Sequence, residues 1–358
     1  MAECIAVAMS GGVDSSVTAG LLKRQGYDVI GITLRLWEED PACSVENCMH
    51  ACCSLDSVND AKEVAHVLGI PHYTLDFRDN FRRDVIDYFV ASYAAGRTPN
   101  PCIACNKYIK FGLLWERAKQ FGADFLATGH YARVVYDDVR NIYTLRRGHD
   151  ARKDQSYVLY QLTQDLLPHI LFPMADLKKT ETRELAKKWG LPVFSKPESQ
   201  DICFIPDNDY KGFLKKEAPY IFEKGDFIDK TRRVIGTHQG IPAYTVGQRR
   251  GLNLGGPGGP YYVAALDKAH NTVIVGAEKD LFSKDVIACE ATWVEAVPTA
   301  PFRAYGKIRY AATEAPCTVY PAGDRLKAVF IEPQRAVTAG QALVLYDGDR
   351  VLGGGVII

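Results

Sequence analysis

The stretch Met9-Ser10-Gly11-Gly12-Val13-Asp14-Ser15-Ser16 predicts the end of a strand, a tight loop and the start of a helix, in that order. It follows the apolar run 4–9 and opens an apolar-periodic segment that reaches Gln25. The glycines allow a sharp turn, and the serines place hydroxyl groups at the helix start. Because the backbone amides and the dipole of a helix start attract anions, the stretch predicts a phosphate site.

This loop differs from a Walker loop. It lacks the Gly-x-x-x-x-Gly-Lys-Ser/Thr spacing, and it contains no lysine that would hold a γ-phosphate during transfer. Pyrophosphate is therefore the bound group that we favour. A plain glycine turn between a strand and a helix is the alternative.

Composition limits the class of protein. The 358 residues include 47% hydrophobic residues, enough for a large core and two or three domains. Lys plus Arg and Asp plus Glu both number 43, so a nucleic-acid surface would have to be a local patch. We expect no signal peptide and no membrane-spanning segment, and hence a cytoplasmic protein. In that compartment the ten cysteines indicate metal or redox chemistry rather than a disulfide framework.

Strand-like and helix-like patterns alternate after the loop. This alternation predicts an α/β domain whose parallel sheet is covered by helices on both faces. The carboxyl ends of such strands form the binding edge, where the Met9 loop, Leu34, Gly129 and the 97–106 loop would meet. The further strands are expected at 29–34, 72–77 and 124–129, and the helices at 54–68, 81–95, 111–121 and 180–189.

Two cysteine-containing segments carry possible chemistry. Segment 43–53 holds four cysteines and His50, which could ligate a metal, but the spacing matches no zinc pattern. We favour a mobile loop that ends with Ser54 capping the next helix. Segment 97–107 contains two prolines and presents Cys102 and Cys105 just before the predicted helix. A helix start and the neighbouring Lys107 and Lys110 would lower a thiol pKa and favour the reactive thiolate, while the alternative is two small buried side chains.

The composition changes after Pro206. Short glycine-punctuated segments continue to Gly276 and predict a small mixed domain. Alternating stretches at 302–310, 316–320, 326–331 and 342–346 then predict a small β-barrel. We expect a catalytic domain at 1–207, a central linker domain at 208–278 and a barrel at 279–358.

Several motifs together carry a family resemblance. They are the loop at Ser10, Trp37-Glu38-Glu39, Gly96-Arg97-Thr98-Pro99-Asn100-Pro101, Cys105-Asn106-Lys107, Ala127-Thr128-Gly129-His130-Tyr131, Lys153-Asp154-Gln155-Ser156-Tyr157, Ile202-Cys203-Phe204, Gly247-Gln248-Arg249 and Leu352-Gly353-Gly354-Gly355. The loop resembles the pyrophosphate loop of the ATP pyrophosphatases, which split ATP between its α and β phosphates. Nearly the whole chain resembles the tRNA-specific 2-thiouridylases, which transfer sulfur to carbon 2 of the wobble uridine.

The resemblance implies roles for individual residues. Cys105 matches the nucleophile and Cys203 the persulfide carrier. Family members often have an aspartate three residues before the nucleophile, where this chain has Cys102. ATP contacts are implied for Ala8, Met9, Ser10, Gly11, Gly12, Val13, Asp14, Ser15, Leu34 and Gly129, target-base contacts for Asn100, Pro101 and Cys102, and tRNA contacts for His130, Lys153, Asp154, Gln155, Arg309, Tyr310 and Gln341.

The implied reaction uses ATP and Mg²⁺ to adenylate the uridine oxygen, followed by attack of sulfur on carbon 2. Its partners are the tRNA anticodon loop and a persulfide-donating sulfur carrier or cysteine desulfurase. Cys203 would carry the sulfur, and its release would leave a disulfide between Cys105 and Cys203. In one alternative, Cys102, Cys105 and Cys203 hold a [4Fe–4S] cluster that delivers sulfide. Two others are an adenylating ligase or amidotransferase for a small molecule, and a non-enzymatic tRNA-binding protein that ATP orders.

Overall fold

A computed structural model describes residues 2–37, 55–197, 202–205, 208–255 and 259–358. The cysteines and His50 of segment 43–53, and Glu38 and Glu39, lie outside the described residues. The chain forms two compact units. The first contains Met1–Ile86, Cys102–Asn208 and Asp349–Val351, and the second contains Asp87–Pro101, Asp209–Gly348 and Leu352–Ile358.

A five-stranded parallel sheet forms the centre of the first unit, as the alternating pattern predicted. Its strand order is β3-β2-β1-β4-β7, so the order of strands along the chain reverses beside β1. A hairpin of β5 and β6, which the sequence analysis did not predict, is antiparallel. The strands are β1 Cys4–Ala8, β2 Asp28–Arg35, β3 His72–Asp76, β4 Phe125–Ala127, β5 Ala132–Asp137, β6 Ile142–Arg147 and β7 Ile170–Leu171.

Helices cover this sheet and complete its core. Ile5 and Val7 of β1 are fully buried against Val17 of the first helix and Val64 of the second. The spacing of apolar residues at three and four positions along these helices explains why one face packs on the sheet. The α-helices among the described residues are α1 Val13–Arg24, α2 Leu55–Leu68, α3 Arg78–Phe81, α4 Asp87–Ala94, α5 Pro101–Ala104, α6 Trp115–Gln120, α7 Lys179–Lys188 and α8 Tyr210–Glu217.

The predicted start of one helix was wrong. Helical structure begins at Pro101 rather than at residue 111, continues through a π-helical stretch, Cys105–Leu114, and ends with α6. Proline suits the first position of a helix because its fixed φ is helical and its missing N–H is not needed there. Cys102 therefore lies in the first helical turn and Cys105 in the next, not in a loop.

The second unit contains a small central sheet and a barrel. The central sheet has the order β10-β11-β8-β9 and a core that includes Phe227, Val263 and Val273. Six strands form the barrel in the order β12-β15-β14-β13-β16-β17, and pairing of β12 with β17 closes it, as the sequence predicted. The strands are β8 Gly225–Ile228, β9 Val234–His238, β10 Tyr262–Asp267, β11 Thr272–Gly276, β12 Phe282–Trp293, β13 Phe302–Lys307, β14 Ala315–Ala322, β15 Arg325–Arg335, β16 Ala342–Asp347 and β17 Arg350–Ile357.

Among the described residues, helices that combine the length and the apolar character needed to cross a membrane are not found.

Shortening a buried side chain of the parallel sheet should destabilise the first unit. Leu126 of β4 has no exposed surface, so Leu126→Ala should lower the free energy of unfolding by about 2–5 kcal/mol through lost burial and a residual cavity. Urea titration followed by circular dichroism measures this change. Val139→Ala is the control because Val139 is 96% exposed, and it should change stability by less than about 0.5 kcal/mol. Equal stabilities of the two variants would contradict the assignment of β4 to the core.

Candidate active site

The predicted phosphate-binding loop, residues 9–16, is called the phosphate loop below. It lies where the strand order of the parallel sheet reverses. The adjacent strands β1 and β4 end at Ala8 and Ala127, so the loops that follow them meet at the same edge. A Cβ atom on Gly129 would lie 2.8 Å from the nitrogen of Ser15 and 2.9 Å from the carbonyl carbon of Asp14. Glycine at this position therefore lets the β4 loop touch the first turn of α1. Ligands of α/β sheets bind at such reversal points.

Hydroxyl groups fix the shape of the loop from inside. The backbone nitrogen of Ser10 donates to Ser15 Oγ at 3.1 Å, and Ser15 Oγ donates to the carbonyl of Gly12 at 3.2 Å. Ser16 Oγ donates to the same carbonyl at 2.8 Å. These bonds hold the loop backbone in one conformation before any ligand binds, which lowers the entropy cost of binding.

Neighbouring elements hold the loop from outside. Gly11 has a φ of +68°, and a Cβ atom there would lie 2.2 Å from the carbonyl oxygen of Ser57 in α2. Only glycine tolerates both that φ and that contact. On the other side, Thr33 Oγ1 of β2 donates to the carbonyl of Met9 at 2.8 Å. The loop is thus fixed between α2 and β2.

Asp14 is the charged group at the start of α1. Its Oδ1 accepts a hydrogen bond from the Tyr131 hydroxyl at 2.9 Å and lies 2.5 Å from Lys179 Nζ. The Tyr131 hydroxyl also lies 2.9 Å from Thr182 Oγ1. Because the side chain of Lys179 is 12% exposed and that of Asp14 is 33% exposed, this ion pair is partly shielded from water. Tyr131 therefore orients the Asp14 carboxylate, and Lys179 balances its negative charge.

The sequence analysis missed two lysines beside the loop. Lys179 is the first residue of α7, and Lys196 Nζ lies 2.5 Å from Asp60 Oδ2 and 3.2 Å from the carbonyl of Gly11. A lysine at a helix start opposes the helix dipole, so its presence there was a signal that it serves something other than the helix. The loop contains no lysine of its own, but the fold brings two to its edge.

The proposed reactive cysteines occupy different surroundings. Cys102 is exposed in the first turn of α5, whereas Cys105 is only 8% exposed. Cys203 is half-buried in a short turn of residues 202–205. Its neighbour Phe204 packs edge-on against Phe81 with ring centroids 5.7 Å apart, which fixes this turn to the first unit.

The cysteines of the candidate site do not form a group of metal ligands in the described residues. Within the ranges that the structure describes, no three His, Cys, Asp or Glu side chains are grouped so that they could hold a metal ion. The described conformation therefore does not fit a [4Fe–4S] cluster on Cys102, Cys105 and Cys203, and we derive no step through one. A magnesium ion has different needs, since it commonly binds one or two carboxylates together with substrate phosphates. Asp14 beside a phosphate loop fits that role.

Comparison with known proteins identifies the family. Three family models match residues 3–207, 211–277 and 283–357, and they are described as a tRNA methyl transferase HUP domain, a tRNA methyl transferase PRC-barrel domain and an aminomethyltransferase beta-barrel domain. A tRNA-specific 2-thiouridylase from Carboxydothermus hydrogenoformans is 52% identical over 99% of this chain and 97% of its own length. The enzyme of the same name from Moorella thermoacetica is 52% identical over 98% of both chains. The chain belongs to the tRNA-specific 2-thiouridylase family.

One family position for tRNA contact is an interior residue here. His130 is 7% exposed, and its Nδ1 lies 2.7 Å from Thr128 Oγ1. The rings of Phe111 and Phe172 lie 6.0 and 5.9 Å from the imidazole. Burial, helped by the charge of Lys110, lowers the pKa of His130 well below its ordinary value, so the ring is neutral at pH 7. A tRNA contact by His130 stays a prediction.

The 2-thiouridylase segment 153–155 also has partners inside the chain. Asp154 accepts hydrogen bonds from the backbone of Gly148 at 3.2 Å and from Ser156 Oγ at 2.8 Å. Gln155 Oε1 accepts from the backbone nitrogen of Tyr131 at 3.0 Å. The Tyr131 hydroxyl donates to Asp14, so Gln155 helps to position Asp14 through Tyr131. Contacts of Lys153, Asp154 and Gln155 with tRNA stay predictions.

The remaining family positions lie in the second unit. Arg309 Nη2 donates to the carbonyl of Arg335 at 2.8 Å, while Tyr310 is 44% exposed. Gln341 Nε2 donates to the carbonyl of Thr98 at 2.8 Å. The barrel therefore presents an exposed tyrosine beside an arginine whose position is already fixed.

Filling the space at Gly129 should weaken ATP binding. Gly129→Ala forces the β4 loop away from Asp14 and Ser15, and overpacking of this kind costs about 1–3 kcal/mol. The Kd for ATP, measured by calorimetry, should rise about 5- to 150-fold. Gly255→Ala is the control, because a Cβ atom there meets nothing within 4 Å. An unchanged Kd for Gly129→Ala would place the nucleotide elsewhere.

Neutralising Asp14 should stop the use of ATP without unfolding the protein. Asp14→Asn keeps the shape of the side chain but removes the charge that Lys179 balances, so AMP formation should fall about 100- to 1000-fold. Release of AMP is measured by chromatography. Asp56→Asn is the matched control, since Asp56 is an exposed acid in the first turn of α2. AMP formation by Asp14→Asn at the control rate would contradict the role of Asp14.

Proposed function

We propose that this chain is an ATP-dependent tRNA sulfurtransferase that converts the wobble uridine to 2-thiouridine. The observation that carries the proposal is the phosphate loop itself, which meets Gly129 at the reversal point of the sheet and has Asp14 and Lys179 beside it. Relatives named tRNA-specific 2-thiouridylase match this chain over almost its whole length. A tRNA substrate agrees with the cytoplasmic location that we expect from the sequence.

The first half of the reaction uses the phosphate loop. The backbone amides at the start of α1 bind the β and γ phosphates of ATP. Asp14 would hold a magnesium ion, which would balance the charge of these phosphates. Lys179, which lies on Asp14 in the described state, supplies a cation next to the departing pyrophosphate. The uridine oxygen on carbon 2 attacks the α phosphate and releases pyrophosphate. An inert carbonyl oxygen thereby becomes part of a good leaving group.

The second half delivers sulfur through two cysteines. A donor protein first loads Cys203 as a persulfide. The Cys105 thiolate attacks the inner sulfur of that persulfide, so a Cys105–Cys203 disulfide forms and hydrosulfide leaves. Hydrosulfide attacks carbon 2 and expels AMP, and a thiol reductant then restores both cysteines. This step requires the Cys105 thiol in its thiolate form, because the thiolate is the nucleophile in thiol–disulfide exchange.

The alternative functions require fewer of these features. An adenylating ligase or amidotransferase for a small molecule needs the phosphate loop but neither cysteine. A tRNA-binding protein that ATP merely orders needs no cation beside the pyrophosphate. The persulfide route is also preferred to a cluster, since the three cysteines are not assembled as ligands in the described residues.

The proposed target is a base in the anticodon loop. Bases in such loops are weakly stacked, so turning one out costs only a few kcal/mol. Asn100, immediately before the cysteine-bearing helix, and Pro101 and Cys102 in its first turn are the residues that we expect to touch the base. A persulfide-donating carrier or cysteine desulfurase is the expected protein partner.

The direct test is a complete reaction. Purified protein is incubated with ATP, Mg²⁺, a persulfide donor and unmodified tRNA, and the nucleosides are analysed by mass spectrometry. The proposal predicts one AMP and one pyrophosphate for each 2-thiouridine. ATP turnover without 2-thiouridine in the presence of donor and tRNA would refute it.

Substitution of the sulfur carrier should separate the two halves. Cys203→Ser should form adenylated tRNA but no 2-thiouridine, because activation and sulfur delivery use different groups. Trapped adenylated tRNA and 2-thiouridine are both measured after one turnover. Cys289→Ser, at a half-buried cysteine of β12, is the control and should retain both steps. Sulfur incorporation by Cys203→Ser at the control level would remove Cys203 from the mechanism.

A further inference from the structure

Thr98 is bound through each of its polar groups by residues far along the chain. Its backbone nitrogen donates to the carbonyl of Ala339 at 2.8 Å, and its carbonyl accepts from Gln341 Nε2 at 2.8 Å. Its hydroxyl lies 3.3 Å from the hydroxyl of Thr245. All four residues belong to the second unit, so a loop of the N-terminal family domain is held by the central and barrel domains. We call these contacts the Thr98 anchor.

The barrel side of the Thr98 anchor is itself fixed. The nitrogen of Gly340 donates to the carbonyl of Ile357, and the nitrogen of Ile357 donates to the carbonyl of Gln341, both at 2.8 Å. Gly340 has a φ of +92°, and a Cβ atom there would lie 2.9 Å from the backbone of Thr98. Glycine is therefore required for the turn and for the close approach of Thr98.

The helix before Thr98 is held on the same unit. Phe89 and Tyr93 of α4 pack against Phe213 and Tyr210, with ring centroids 6.1 and 5.2 Å apart. The helix ends at Ala94, and the turn that follows contains Gly96, whose φ is +72°. The chain from α4 to Pro101 is thus fixed at both of its ends to the second unit.

The sequence after Thr98 transmits its position. Thr98-Pro99-Asn100-Pro101 alternates prolines with residues that precede a proline. Each proline has a fixed φ, and the helical region is disfavoured for each preceding residue, so all four residues have restricted backbone freedom. We therefore expect a shift of Thr98 to move Asn100, which lies no more than about 7 Å further along the chain.

We propose that Gln341 and Gly340 are positioning residues for the target base, acting through Thr98. They set where Asn100 and Pro101 lie, and Gln341 does so through its hydrogen bond to the carbonyl of Thr98. This inference rests on the proposed function, since it assumes that Asn100 and Pro101 meet the uridine. It gives the barrel a task in the chemical step that is separate from binding tRNA.

The test compares two variants with matched controls. Gln341→Leu removes the donor to Thr98, and Gly340→Ala pushes the Thr98 backbone away. Gln334→Leu removes a similar amide that donates to a barrel carbonyl, and Gly323→Ala adds a Cβ at a φ of +65° where nothing lies within 4 Å. Two readouts are used: hydrogen exchange of the peptide containing Thr98 in the unliganded protein, and kcat for 2-thiouridine formation alongside the Kd for tRNA.

Both anchor variants should show faster exchange in the Thr98 peptide. Their kcat should fall about 10- to 100-fold, as expected when a contact residue is misplaced by about 1 Å, while the Kd for tRNA stays within about twofold. The double variant should lose no more than the worse single variant, because both changes act on Thr98. The two controls should match the wild type, and thermal unfolding shows that each variant is folded.

Different failures have different meanings. A higher Kd for tRNA with unchanged kcat in Gln341→Leu would show that Gln341 contacts tRNA directly, and would overturn the inference. Unchanged hydrogen exchange in both anchor variants would overturn it as well. If the wild-type protein forms no 2-thiouridine, the proposed function fails, and the inference fails with it.

Discussion

The contact between Gly129 and the first turn of α1 is the constraint on which the candidate active site depends. A backbone-to-backbone approach of this kind joins the ends of β1 and β4 and leaves no room for a Cβ atom. It places the loop at the reversal point of the sheet, and the start of a helix is an environment that favours bound anions. The serine hydroxyls and Thr33 then keep the loop in that shape without a ligand.

Charged side chains beside the loop would allow a loop that contains no lysine to bind pyrophosphate. Lys179 neutralises Asp14 in the described state, and Lys196 lies at the carbonyl of Gly11 beside Asp60. We propose that this partly shielded ion pair exchanges partners with a substrate that brings several negative oxygens and a magnesium ion. Exchange of partners then costs less than bringing unpaired charges together, because each charge keeps an opposite neighbour.

The sequence predicted the features that local patterns encode. The glycines and serines of the loop, the strands beside it and the barrel alternation are each readable within a few residues. Lys179 lies 165 residues from Asp14, so a local pattern could not reveal their contact. The start of the helix at Pro101 was missed because two prolines suggested a loop, although proline also fits a first helical position. The Thr98 anchor depends on Gln341, another partner distant in sequence.

The central claim is that ATP activates the uridine by transferring AMP to its oxygen on carbon 2. An oxygen-18 label at that oxygen of the wobble uridine tests the claim directly, with the products separated and analysed by mass spectrometry after a single turnover. Our account predicts that the AMP carries the label for each 2-thiouridine formed, and that pyrophosphate and water do not. Label released into water or pyrophosphate, with unlabelled AMP, would contradict it.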